Sequence, residues 1–86
     1  MIVICFMAKK DTYTKKQLDN LGRRLRELRI EKGFTNYEQF AFEHDLPRAQ
    51  YGRYEQGQDL RFSSLLKVLK ALDISLEEFF KEGFEN

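Results

Sequence analysis

The sequence predicts an all-α protein with five helices. Apolar residues recur at steps of three and four in separate segments, and no alternating strand pattern appears after Ala8. Glycine, proline and asparagine separate these segments, as expected for helix starts and stops. A chain of 86 residues is long enough for one domain with a modest core. We assign residues 14–86 to that domain and residues 1–13 to an N-terminal extension.

The first helix is predicted between Thr14 and Lys32, where leucines form one apolar stripe. These are Leu18, Leu21, Leu25 and Leu28. Thr12 or Thr14 can cap its start, and Gly33 can end it because glycine readily adopts left-handed backbone. Gly22 lies inside the helix, where glycine costs about 1 kcal/mol relative to alanine. It marks either a break or a close contact.

The second helix is predicted over residues 37–44, with Asn36 as its N-cap. Phe40 and Ala41 are expected to face the core. The small side chain of Ala41 suits a position that the following helix crosses closely. His44, at the C-terminal end, is interpreted as a partly buried packing residue that suits the helix dipole.

A tight turn and a third helix over residues 47–55 follow. Asp45 tolerates left-handed backbone, Leu46 is an apolar plug, and Pro47 suits a helix start because it lacks an N–H group. Tyr51 and Tyr54 are expected to face the core, and the remaining side chains the opposite side. Two helices joined in this way form a helix-turn-helix, which can lay its second helix into the DNA major groove. The outward side chains include Arg48, Gln50 and Arg53.

The fourth helix is predicted over Phe62–Leu72, with five apolar residues inward: Phe62, Leu65, Leu66, Leu69 and Leu72. Ser75 and Glu78 have the spacing of a capping box, which starts a fifth helix. Leu76, Phe79 and Phe80 are expected to be buried in it. Phe84 remains as a candidate dimer contact.

Charge is distributed unevenly along the chain. Residues 15–32 hold seven basic and three acidic residues, whereas residues 73–86 hold one basic and five acidic residues. Such a chain can present a cationic face to phosphate. Arg23, Arg24 and Arg26 are interpreted as general surface charge.

The sequence offers no catalytic or metal-binding set. The lone Cys5 excludes an intrachain disulfide framework and a Cys-rich zinc site, and it favours a cytoplasmic location. No second histidine joins His44, and no nucleophile–base–orienter set can be assembled. We therefore expect neither an enzyme nor a cofactor.

The apolar start, residues 1–8, is too short to span a bilayer. Residues 1–6 are an upstream-start artefact, a short strand or plug, or a membrane contact.

From about Leu21 to Phe84, the chain resembles the phage-repressor and Cro-like, or Xre-type, helix-turn-helix family, whose domain has the lambda-repressor-like fold. The matching elements are residues 22–29 (GRRLRELR), Phe40 with Ala41, Arg48, residues 53–57 (RYEQG), residues 65–67 (LLK), residues 70–72 (KAL) and residues 74–80 (ISLEEFF). The resemblance implies a sequence-specific regulator of transcription that binds double-stranded DNA. We expect it to act as a homodimer, because one unit makes too few base contacts for useful specificity.

The resemblance also implies roles for individual residues. Base edges would be read from Arg48, Ala49 and Arg53, with Gly52 on the same face. Tyr37 stands where the family usually places a phosphate-gripping glutamine, and Arg61 stands at a backbone-contact position. Arg29 and Glu55 correspond to a structural ion pair.

The sequence departs from the family pattern at three places: one extra residue at Thr35–Asn36, Asp45 for the turn glycine, and Gly52 within the recognition helix. Gly52 either lets backbone approach DNA closely or indicates that this face no longer reads DNA. A protein-binding module, such as an antitoxin that binds a toxin or an adaptor, is therefore the alternative function.

Overall fold

The computed structural model describes residues 12–84. Its secondary structure there is entirely helical, in five elements: α1 (Thr12–Glu31), α2 (Tyr37–Glu43), α3 (Arg48–Glu55), α4 (Phe62–Leu72) and α5 (Leu76–Lys81). The predicted five-helix, all-α fold is confirmed. The expectations for residues 1–6 lie outside the described residues. Within residues 12–84, no helix combines the length and apolar character needed to cross a bilayer.

The helix ends agree with the predicted signals, except at the start of α1. Thr12 and Thr14 are both helical, so the capping role predicted for one of them is wrong. Pro47 is the N-cap of α3 rather than its first residue. Ser75 caps α5 as predicted, because its Oγ accepts the Glu78 N–H at 3.1 Å.

The core is formed by one face of each helix. Its buried members are Leu21, Leu25, Phe40, Ala41, Tyr51, Tyr54, Leu65, Val68, Leu69, Leu72 and Phe79. In α4 the buried positions follow the spacing 65, 68, 69 and 72, which is one helical stripe. Phe62 and Leu66 lie beside that stripe and are exposed, so their predicted burial is wrong. Leu76 and Phe80 are likewise exposed, because α5 turns only Phe79 fully inward.

Arg24 attaches α5 to α1. Its Nε donates to the Phe79 carbonyl oxygen at 3.1 Å, and a terminal nitrogen donates to that of Glu78 at 3.2 Å. These carbonyls belong to the last turn of a helix, where no backbone N–H within the helix can satisfy them. The Arg24 side chain is only 11% exposed, so its interpretation as general surface charge is wrong.

Candidate nucleic-acid interface

The turn between α2 and α3 has the predicted backbone geometry. Asp45 has a φ of 60°, which is left-handed, and the Leu46 N–H donates to the Ala41 carbonyl oxygen at 2.8 Å. At the other end of α2, the Asn36 side chain accepts the N–H groups of Glu38 and Gln39, as expected of an N-cap. The turn and the cap together fix the orientation of α3 relative to α2.

The predicted ion pair between Arg29 and Glu55 is present and buried. Arg29 donates from Nε to Glu55 Oε2 at 2.7 Å and from a terminal nitrogen to Oε1 at 3.1 Å. Its other terminal nitrogen donates to the Phe34 carbonyl oxygen at 2.7 Å. The hydrogen bond to Glu55 raises the pKa of Arg29. The guanidinium group thus ties together α1, the loop before α2 and the end of α3.

Gly22 allows α1 to approach the C-terminal end of α3. A Cβ atom at Gly22 would lie 2.6 Å from the carbonyl oxygen of Glu55 and 2.8 Å from that of Tyr54. Because α1 continues without interruption through this position, Gly22 marks a close contact and not a break. With Tyr51 and Tyr54 also buried, α3 is held along one whole side.

The opposite side of α3 is exposed and carries unpaired cations. Arg48, Ala49, Gln50 and Arg53 are all exposed there. Among the interactions within residues 12–84, the guanidinium groups of Arg48, Arg53 and Arg61 have neither an ion pair nor a hydrogen bond. This side is therefore available to a partner that carries negative charge or hydrogen-bond acceptors.

A groove between α3 and α4 brings several of these residues together. It has a volume of about 490 Å³, and its lining includes Gln50, Arg53, Arg61 and Ser64. Arg61 is the N-cap residue of α4, where backbone N–H groups at the helix start favour anions. The groove thus joins the exposed side of α3 to a second cationic position.

Tyr37 and Gly52 differ from the other candidate residues. Gly52 is buried, because the ring of Tyr37 covers it, although helix spacing places it on the same face of α3 as Arg48 and Ala49. Tyr37 itself is half-buried. This contact was not predicted, because it joins residues of two different helices and no local sequence signal indicates it.

His44 has the packing role that its position predicts. Its Nδ1 lies 3.0 Å from the Phe40 carbonyl oxygen, and its ring contacts those of Phe34 and Phe40. Among residues 12–84, no three side chains of the types that ligate metals are grouped suitably for an ion.

Comparison with known proteins agrees with this geometry. Residues 25–79 match the family model of the helix-turn-helix, a span that includes α2, the turn and α3. The restriction-modification controller protein C.AhdI from Aeromonas hydrophila is a similar solved structure, with 41% sequence identity and a TM-score of 0.65. The match covers 73% of this chain and 96% of that chain. No curated protein sequence matches the chain.

Proposed function

Because this chain belongs to the helix-turn-helix family and is a sequence-specific DNA-binding regulator of transcription, we propose that α3 enters the major groove of double-stranded DNA. Arg48 and Arg53 read guanine through bidentate hydrogen bonds, Ala49 contacts a thymine methyl group, and Gln50 pairs with adenine. The observation that supports this assignment is the exposed, unpaired state of both α3 arginines.

Contacts to the phosphate backbone set the register of α3 in the groove. Arg61 binds a phosphate on one side of α3, where the start of α4 adds backbone N–H groups. The Tyr37 hydroxyl donates to a phosphate on the α2 side. Two such positions on either side of a reading helix fix its orientation without contributing sequence information.

The protein acts as a homodimer in this proposal. One unit places too few side chains on base edges for useful specificity, and two-fold symmetry doubles that number over paired half-sites. Selection of bound fragments from random double-stranded DNA tests both points. An enriched palindromic motif is expected. If no motif is enriched, the protein-binding alternative is favoured, particularly if a toxin gene lies next to this gene.

The regulated genes are proposed to be those of a restriction–modification system. This rests on the 41% identity to a restriction-modification controller protein, across almost the whole of that chain. The selected motif should then occur upstream of neighbouring endonuclease and methyltransferase genes. A motif found only near unrelated genes would contradict this assignment and leave DNA binding itself intact.

A further inference from the structure

The middle of α3 lacks a side chain at the position that Tyr37 occupies. A Cβ atom built at Gly52 would lie 2.6 Å from Cε1, 2.9 Å from Cζ and 3.1 Å from the hydroxyl oxygen of Tyr37. Distances under 3 Å are closer than nonbonded carbon atoms pack. The outer edge of the Tyr37 ring therefore fills the space that any other residue at position 52 would take.

The position of the Tyr37 ring is fixed by several contacts. The residue is the first of α2, directly after Asn36, whose side chain caps the helix. Its ring centroid lies 6.4 Å from that of the fully buried Tyr51, with Gly52 as the next residue along α3. The ring is thus placed by its helix, by an aromatic neighbour and by the missing side chain of Gly52.

This seat adjoins the residues that face DNA. In a helix, the surface neighbours of position 52 toward the N-terminus are positions 48 and 49, one turn away. These are Arg48 and Ala49, both exposed. A group that replaces the side chain of residue 52 therefore stands beside two of the proposed base-reading residues.

We propose that Gly52 and Tyr37 form one functional pair, in which the glycine seats the tyrosine so that its hydroxyl is a fixed hydrogen-bond donor to a DNA phosphate beside Arg48. This inference rests on the proposed function and makes Gly52 a positioning residue. Direct approach of the α3 backbone to DNA at Gly52 does not explain the glycine, because the Tyr37 ring already covers it.

Gly52→Ala separates this role from a structural one. The atoms that an added methyl group meets are the outer end of a side chain, which can swing away, and alanine favours the helix. We expect an unchanged or higher Tm, together with an affinity for the selected operator reduced about tenfold, the size of one lost hydrogen bond to a charged group. Tyr37→Phe, which removes only the hydroxyl, should show a similar loss.

A double-mutant cycle with Tyr37→Ala supplies the decisive comparison. In the Tyr37→Ala background, Gly52→Ala should cause no further loss of affinity, because no ring remains to be displaced. Equal losses in both backgrounds, wild-type affinity of the Gly52→Ala variant, or a Tm that falls in both backgrounds would each overturn the pairing. Arg53→Ala distinguishes failure of the pairing from failure of the proposed function. Weakened binding by that variant preserves base reading by α3 when the pairing fails, and undiminished binding rejects the proposed base reading by Arg53.

Discussion

Gly22 of α1 lies against the main-chain carbonyl group of Glu55 at the end of α3, with space for a hydrogen atom but not for a methyl group. The side chain of the same Glu55 binds Arg29, one of the buried residues of α1. A single residue of α3 is therefore joined to α1 through both its backbone and its carboxylate. The direction in which α3 presents its arginines is consequently set by α1.

Gly22→Ala is expected to destabilise the protein by about 1–3 kcal/mol, despite the better helix propensity of alanine. The added methyl group would meet backbone atoms that cannot move without shifting α3. Urea unfolding followed by circular dichroism measures the change. Gly52→Ala is the matched control, since its methyl group meets only a side chain. Equal free energies of unfolding for the two variants would contradict the close-packing explanation.

Removal of one partner of the Arg29–Glu55 pair is expected to cost about 3–5 kcal/mol, because the remaining charge stays buried. The two side chains are only 6% and 9% exposed. Arg29→Met tests this by chemical denaturation. The double variant Arg29→Met/Glu55→Met should recover much of the loss, since no unpaired charge remains. Additive losses in the double variant would show that the charges do not interact as described.

Arg24→Ala should lower the free energy of unfolding by about 1–2 kcal/mol, because two carbonyl groups at the end of α5 lose their charged donor. Operator affinity measured well below the Tm should stay unchanged. Arg26→Ala removes the same charge from an exposed position of α1 and serves as the control. If both substitutions left the free energy of unfolding unchanged, Arg24 would be no more than a surface charge.

Tyr51 is expected to make the free energy of unfolding fall as the pH rises through the alkaline range. Burial and the neighbouring Glu55 carboxylate raise the pKa of Tyr51 above its ordinary value of about 10. Its buried hydroxyl lies near that carboxylate without a hydrogen bond of ordinary geometry to any of residues 12–84. The unfolded chain ionises first, so the stabilisation is present below pH ~10 and is lost above it at up to about 1.4 kcal/mol per pH unit. Tyr51→Phe should flatten this decline without loss at neutral pH. Parallel pH profiles for both proteins would contradict it.

The sequence predicted the helices well because their signals are local. Asn36, Asp45 and Ser75 each act through their own or adjacent backbone, so their roles follow from position. Contacts between distant segments could not be predicted from the sequence in the same way. Nothing local indicates that Arg24 reaches the end of α5, or that Tyr37 lies over Gly52. Phe62 and Leu66 were misassigned because hydrophobicity alone does not locate the edge of a buried stripe.

Exposed arginines of α3 are proposed to read base edges, and Arg53→Ala tests this role most directly. Binding to the selected operator and to single-base variants of it should be measured at fixed salt, with Arg26→Ala as the charge-matched control. We predict that Arg53→Ala loses about 1–3 kcal/mol of binding free energy and discriminates less at one base pair, whereas Arg26→Ala keeps its base preference. An Arg53→Ala protein with wild-type affinity and unchanged discrimination would contradict the account.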